Sequence, residues 1–246
     1  MKNKFILPLV LALAVPLGVF GTTGVGSSAA EAASAKEWVQ LSPRATYYGE
    51  VSKGKPNGRG TIKWGNNKQY SGTFVNGKRS GKGKYVNTYL NDKTGLLHKV
   101  VYNGRWSGDM MNGNGTRTEK VVALDGTVVS NGIQTGTFKA NVLSRGYDVV
   151  HALADPDYSF SYRAPNYRLN ILGSNISLLE DWKTGTLFEV EYRKGSISKN
   201  YSIFQGRTAE EEKKRLASLR YLRSVTSEIT PILWQFRAIS KQLDLK

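Results

Sequence analysis

Residues 70–83 read YSGTFVNGKRSGKG, and the same spacing of tyrosine and glycine recurs before and after this stretch. The matching positions lie 23 residues earlier in a first copy and 32 residues later in a third. A fixed period of this size indicates a repeat architecture. Such repeats usually build an extended surface, so the pattern favours binding over catalysis. The repeat-defining positions are Tyr47, Gly49, Gly58, Gly60, Tyr70, Gly72, Phe74, Gly81, Gly83, Tyr102, Gly104, Trp106, Gly113 and Gly115.

Each copy is predicted to form one β-hairpin. Alternate residues of a strand share a face, so Tyr70, Gly72 and Phe74 lie together, and the glycine leaves a hollow that an aromatic ring can cover. Asn76-Gly77 between two alternating segments is a strong hairpin-turn signal. Because a single hairpin is only marginally stable in water, the units are expected to stack edge to edge.

These residues resemble the MORN repeat (membrane occupation and recognition nexus) over about residues 47–117. The resemblance implies a ribbon of stacked antiparallel hairpins and a binding or scaffold module with a membrane-lipid or protein partner, not an enzyme. A degenerate fourth copy is expected to reach residue 147. In that copy Gln134 replaces the tyrosine, and Arg145 and Tyr147 replace the closing glycines. A decayed last copy is typical of a capping repeat.

The change of spacing from 23 to 32 residues indicates an insertion of about nine residues between Tyr85 and Tyr102. Residues 91–95 form a turn cluster inside it, which predicts longer strands joined by a longer loop. The interval 121–133 has the same length, and Asp125-Gly126 is predicted to form its turn.

The first 35 residues are predicted to be a secretory signal peptide. A basic start is followed by an apolar run over residues 5–20 and by small residues up to Ala35. Cleavage is expected after Ala35, with Ala32 as a second option, which predicts a secreted or cell-surface protein. The competing interpretation is a retained anchor, but the apolar core is shorter than a membrane span requires. The sequence has no cysteine, which excludes disulfides, thiolate metal sites and a lipid-modified cysteine.

The chain carries a formal net charge of +16, and the charge is concentrated in the repeats. Residues 47–117 contain thirteen Lys or Arg and three acidic residues. This excess predicts an anionic partner, either membrane lipid or an acidic wall polymer, with a protein partner left open. A nucleic-acid partner is not expected, and the open edges of a ribbon allow self-association. The candidate anion-binding residues are Lys53, Lys55, Arg59, Lys63, Lys68, Lys78, Arg79, Lys82 and Lys84.

The mature chain is predicted to be mostly β, with a repeat ribbon over residues 36–150, further β-strands over 151–206 and a helical hairpin over 207–246. Alternating aromatic segments predict the middle strands, either as a continuation of the ribbon or as a separate small sheet. Thr208 and Glu211 have the spacing of a capping box at a helix start. Thr230-Pro231 predicts the start of the second helix.

The sequence predicts no catalytic, metal-binding or cofactor-binding residue. His98 and His151 stand apart from any paired motif. Residues 72–78 imitate the start of a P-loop, but Arg79 stands where a Ser or Thr would bind magnesium. Glu189 and Glu191 share one strand face without a visible partner across a cleft.

The aromatic residues also raise the question of sugar or single-stranded DNA binding. The repeat tyrosines are explained by structure, which leaves Tyr85 and Tyr89 as aromatic residues outside the repeat register. The leading prediction is therefore an exported, non-enzymatic binding or scaffold protein with a basic repeat surface. The alternatives are a purely structural interaction module acting through the C-terminal helices and a secreted hydrolase acting through residues 158–205.

Overall fold

The computed structural model describes residues 35–245, which form one long antiparallel sheet with three helices. Each of the 13 strands pairs with the next strand along the chain, so the order in the sheet is the order in the sequence. The predicted mostly-β ribbon of stacked hairpins, ending in helices, is confirmed. The elements are β1 Lys36–Ser42, β2 Ala45–Ser52, β3 Lys55–Trp64, β4 Lys68–Val75, β5 Lys78–Asn91, β6 Leu96–Ser107, β7 Met110–Val122, β8 Val128–Lys139, β9 Val142–Ala152, β10 Tyr158–Ala164, β11 Tyr167–Gly173, α1 Leu178–Thr184, β12 Glu189–Lys194, β13 Ile197–Ser202, α2 Ala209–Ser224 and α3 Thr226–Ser240.

The hairpin turns of the repeats share one backbone conformation. In the second copy Asn76 and Gly77 both have positive φ, at 50° and 81°. This conformation matches the right-handed twist of the flanking strands, which is why Asn-Gly is favoured there. The same pair of positive φ values occurs in the other copies at Lys53-Gly54, Gly108-Asp109 and Ala140-Asn141.

The longer spacing of the later copies produces longer strands, as predicted. Strand β5 has 14 residues, compared with 8 in β4, and it meets β6 at a turn around Gly95. Strands β7 and β8 meet at Asp125-Gly126 in the same way.

Residues 151–206 continue the ribbon, which settles the question that the sequence left open. Strand β9 pairs with β10 along Gly146↔Arg163 to His151↔Tyr158. The short helix α1 lies between β11 and β12 and was not predicted from the sequence.

The second C-terminal helix begins earlier than predicted. Helix α2 starts as expected, because the Thr208 hydroxyl accepts the Glu211 N–H at 3.2 Å. Helix α3 begins at Thr226, and Pro231 lies inside it. The prediction that Thr230 caps this helix was wrong, since its hydroxyl donates to the Thr226 carbonyl at 2.7 Å within the helix.

Apolar side chains cover opposite faces of the sheet in its two halves. In the repeats, the buried residues Tyr47, Tyr70 and Tyr102 define what we call the aromatic face. From the paired residues Ile133 and Val149 onward, the buried side chains lie on the other face and pack against the helices, where Phe160 contacts Phe236 with ring centroids 5.3 Å apart. The helices therefore cover the C-terminal half of one face and leave the same face of the repeats open.

Candidate binding faces of the repeat sheet

A row of eight glycines crosses the sheet from β2 to β9. Each glycine is paired in register with the glycine of the next strand, so the row is continuous. A Cβ atom on Gly72 would lie 2.5 Å from the Tyr70 hydroxyl and 2.6 Å from the Gly83 Cα, so no larger residue fits. The members of the row are Gly49, Gly60, Gly72, Gly83, Gly104, Gly115, Gly136 and Gly146.

The three repeat tyrosines lie across this row and are fully buried. The Tyr70 hydroxyl donates to the Thr73 carbonyl at 3.1 Å. The Tyr47 and Tyr102 hydroxyls make the equivalent bonds, to the carbonyls of Glu50 and Arg105. Burial raises the pKa of Tyr70 to about 12, so the ring stays neutral at physiological pH.

The aromatic residues of successive copies interleave into one stack. Phe74 lies edge-on between Tyr47 and Tyr70, with ring centroids 5.1 Å from each. Trp106 takes the same place between Tyr70 and Tyr102, at 5.2 Å from each. Such pairs contribute about 0.5–1.5 kcal/mol each beyond the burial of their area. The first copy has no earlier tyrosine to pack against, which accounts for Val51 at its aromatic position.

The hairpin turns of the second, third and fourth copies are also bonded to the preceding copy. The Gly77 N–H donates to the Pro56 carbonyl at 2.8 Å, and the Asp109 N–H donates to the equivalent Arg79 carbonyl at 3.1 Å. In the third copy the Asp109 carboxylate also accepts the Arg79 N–H at 2.9 Å. Pro56 has no N–H, so Gly77 needs no side chain to accept one. The replacement of Gly77 by Asp109 between copies thus matches the replacement of Pro56 by Arg79.

The repeats that share this register match a known family. The sequence profile of the MORN repeat matches residues 47–69, 70–87 and 102–118. Residues 47–118 carry three MORN repeats. Alsin of Rattus norvegicus is 44% identical over 73 residues, which are 29% of this chain and 4% of that protein. Alsin of Homo sapiens is 40% identical over 87 residues, which are 33% of this chain and 5% of that protein. The chain therefore spans only 4–5% of the length of these curated relatives.

A fourth, degenerate MORN-like hairpin follows the three matched copies. Its closing glycine lies one residue away from the position expected from the repeat period. Gly136 pairs with Gly115 on one side and with Gly146 on the other. The closing glycine is therefore Gly146, and the assignment of Arg145 and Tyr147 to the closing glycine positions was wrong. The earlier copies each have a register shift of two residues at this point, whereas the shift between Thr137 and Phe138 is one residue, which produces the offset. Phe138 completes the aromatic stack against Tyr102 at 5.1 Å.

The face opposite the tyrosines carries a cluster of exposed cations, which we call the basic face. It is defined by Arg59, Lys63, Lys82 and Lys84, which alternate along β3 and β5 with residues of the aromatic face. A shallow groove of about 500 Å³ runs over the glycine row here. Its lining includes Arg59 and Lys82, with the hydroxyl groups of Thr61 and Thr73 beside them.

The nine candidate anion-binding residues do not all converge on this face. Lys68 lies on the aromatic face, with its ammonium 4.9 Å from the Trp64 ring centre. Arg79 also lies there, where its guanidinium is 4.4 Å from the Trp106 ring centre and 3.0 Å from the Asp109 carboxylate. The other three, Lys53, Lys55 and Lys78, lie at or beside the hairpin turns.

Sequence reasoning missed several residues of the basic face. Lys36 lines the same groove, because β1 pairs with β2. Arg105 is in register with Lys82 and is exposed, and its place between Gly104 and Trp106 of the aromatic face would have assigned it to the basic face. The Trp38 and Tyr48 rings lie 4.8 Å apart at the edge of the groove, and Trp38 is 74% exposed. No pattern in the lead-in predicted this pair.

Both histidines have partners in the structure. His98 Nδ1 lies 2.7 Å from a Glu119 carboxylate oxygen, and the Arg117 guanidinium donates to the other oxygen at 2.6 Å. Burial raises the pKa of Glu119, but the hydrogen bonds from His98 and Arg117 outweigh it and leave the pKa below its usual value. His151 Nδ1 lies 2.8 Å from the Leu243 carbonyl and so fixes the C-terminal segment to the sheet.

The carboxylates considered for hydrolysis, Glu189 and Glu191, lie on β12 on the face away from the helices. With Asp148 they line a shallow depression of about 380 Å³, and the Asn170 amide donates to Glu191 at 2.8 Å. Within residues 35–245, no group of three His, Cys, Asp or Glu side chains is arranged to hold a metal ion. In the same part of the chain, no helix combines the length and apolar character needed to cross a bilayer.

Proposed function

We propose that this protein is a non-enzymatic binding or scaffold module whose basic face docks on an anionic surface. The observation that carries the proposal is the set of exposed cations Arg59, Lys63, Lys82 and Lys84 around the groove over the glycine row. MORN repeats generally mediate membrane or protein interactions, and this chain has three of them. An extended array of cations suits a surface or polymer better than a small ligand.

The proposed partner is a membrane rich in anionic lipid or an acidic wall polymer. Each Lys or Arg held near an anionic membrane contributes about 1 kcal/mol of attraction, so a few such residues suffice for reversible docking. We further propose that the mature protein begins after Ala35 and meets this partner outside the cell. The binding ribbon would then be residues 36–150. Residues 151–206 would extend it, and residues 207–246 would form its helical cover.

The C-terminal helices are a less favourable docking element. The side chains of Ile229, Leu233 and Phe236 are turned to the sheet and buried. A partner that used this apolar side would have to displace the helices from the sheet.

The proposal is tested by binding of the chain from residue 36 to anionic vesicles and to wall polymer. The double variant Lys82→Glu with Lys84→Glu should weaken binding by about tenfold or more, because four units of charge change at the contact. The control is Lys213→Glu with Lys214→Glu, which makes the same change of net charge on exposed residues of α2. Raising the salt to about 1 M should also abolish binding, because the screening length falls to roughly 3 Å.

Equal loss with both double variants would contradict the proposal, because it would mean that only the net charge matters. Binding that neither variant weakens, or that salt leaves unchanged, would contradict it as well.

A further inference from the structure

A cleft on the aromatic face has the features of a ligand site, and the proposed function does not use it. It lies where β5, β6 and β7 extend beyond the tyrosine row, and it has a volume of about 320 Å³. A pocket of this size, with aromatic walls and a few polar groups, is at the lower end of the range of small-molecule sites. Its walls include Tyr85, Asn87 and Tyr89 from β5 and Arg117 from β7.

Two tyrosines outside the repeat register lie in this cleft. Tyr85 and Tyr89 are four residues apart on β5 and so share a face of the sheet. Tyr89 stacks on His98, with ring centroids 5.0 Å apart and planes 11° apart, yet Tyr89 remains 40% exposed. Its ring is thus held in one orientation and still presents surface to a ligand.

Asn87 lies between the two tyrosines on the same face. No partner within residues 35–245 binds its side-chain amide, although the residue is half-buried. An amide offers two donors and an acceptor on one small group, which matches the adjacent hydroxyls of a sugar. The position of this amide between two rings therefore favours a ligand that combines an apolar ring face with hydroxyl groups.

The two arginines that line the cleft each have a carboxylate partner, unlike the cations of the basic face. The Arg79 guanidinium is 3.0 Å from the Asp109 carboxylate, and the Arg117 guanidinium is 2.6 Å from Glu119. The nearest other cation is Lys68, which is paired in register with Asn87 and has its ammonium over the Trp64 ring. To bind either arginine, an anionic ligand would have to displace the Asp109 or Glu119 carboxylate, whereas a neutral ligand would not.

We propose that this cleft binds a neutral carbohydrate, with the C–H face of a pyranose ring against Tyr89 and its hydroxyls on the Asn87 amide. The negative face of an aromatic ring attracts the weakly positive C–H groups of the sugar. The two sides of the sheet would then recognise different chemistry, anionic groups on the basic face and neutral sugar on the aromatic face.

The test is a titration of the full chain with neutral methyl glycosides of hexoses and N-acetylhexosamines, followed by ligand-observed NMR. Saturable binding is expected, and Asn87→Ala or Tyr89→Ala should weaken it about tenfold, since each removes one net hydrogen bond or stacking contact. The matched controls are Tyr48→Ala, a tyrosine 41% exposed on the opposite face, and Asn103→Ala, an exposed asparagine of that same face. Neither control should change the affinity, and unfolding midpoints would verify that all four variants fold.

The proposal is overturned if none of these glycosides binds, or if the cleft variants bind as well as the controls do. Tighter binding of nucleosides or of uronic acids than of neutral glycosides would also overturn it. The Lys82→Glu with Lys84→Glu variant should bind sugar normally, so loss of vesicle binding and loss of sugar binding can be told apart.

Discussion

The smallest unit of this fold is a tyrosine lying on two paired glycines. Tyr70 covers Gly72 of its own strand and Gly83 of the next, and its hydroxyl bonds the backbone at the bend. A ring can be fully buried in a single-layer sheet only if the residues beneath it have no side chain. The absence of a Cβ is therefore the structural requirement at these positions, more than backbone freedom.

Replacing Gly72 by alanine should destabilise the protein by about 1–3 kcal/mol, the usual effect of overpacking. The new Cβ would meet the Gly83 Cα and the Lys82 carbonyl at 2.6 Å, and backbone atoms cannot move aside cheaply. Denaturant unfolding would measure the change. Gly132→Ala is the control, because its Cβ would meet a Val150 methyl at 3.2 Å, which can shift. Equal stability of the Gly72→Ala variant and the natural chain would refute this account of the glycine row.

Asp109 is a second residue whose role can be isolated. It has φ of 69°, which glycine adopts readily, so Asp109→Gly removes the carboxylate without straining the turn. Loss of the bonds to Arg79 should lower the free energy of unfolding by about 1 kcal/mol, a modest value because the carboxylate is 46% exposed. Asp109→Asn keeps an acceptor for the Arg79 N–H, as Asn141 does for Met111 at 2.8 Å, and should be milder. An Asp109→Gly variant as stable as Asp109→Asn would contradict the role given to the carboxylate.

At the scale of elements, hydrogen bonds of Arg215 help to attach α2 to the sheet, beside the buried Leu222 and the contact between Tyr192 and Tyr221. The Arg215 guanidinium donates to Glu212 at 2.7 Å and to the Ser202 carbonyl at 3.1 Å, so it joins the helix to β13. Glu212 also accepts the Gly206 N–H at 2.8 Å before the helix begins. The hydrogen bonds from Arg215 and then from Gly206 lower the pKa of Glu212 to about 2.

This pKa predicts how acid affects the attachment. A carboxyl group with a lowered folded-state pKa stabilises the fold fully above its unfolded pKa of about 4.3, and the contribution is lost as the pH falls towards about 2. Glu212→Gln should therefore be less stable than the natural chain at neutral pH, and the difference should shrink through that window. Urea midpoints measured across the acid range would show it, with Glu210→Gln as an exposed control on the same helix turn. A difference that stays constant with pH would contradict the assignment.

At the scale of the whole molecule, the repeats could be predicted from sequence because their signals are local. Tyr-x-Gly spacing, Asn-Gly turns and the Thr208 cap each act within a few residues. The face of Lys68 was also predictable, since it is two residues from Tyr70. The face of Arg79 was not, because the register shifts between Gly72 and Thr73.

Features that depend on packing between distant parts of the chain could not be predicted from the sequence. The start of α3 is an example. Ile229 is fully buried in the core, and the helix begins at Thr226, four residues before the local Thr230-Pro231 signal. The change of the apolar side from one face to the other begins where Ile133 of β8 pairs with Val149 of β9, and it depends on packing against the distant helices. The Tyr89 cleft likewise needs three strands brought together, although Tyr85 and Tyr89 were already marked by lying outside the repeat register.

The central claim, that the basic face is the surface presented to an anionic partner, is tested most directly by a lysine-modification footprint. The chain from residue 36 would be methylated on its lysines with and without anionic vesicles or wall polymer, and each site quantified. We predict protection of Lys63, Lys82 and Lys84, with Lys68 on the opposite face modified as in the free protein. Protection of Lys68 in their place, or equal protection of lysines on both faces, would contradict the claim.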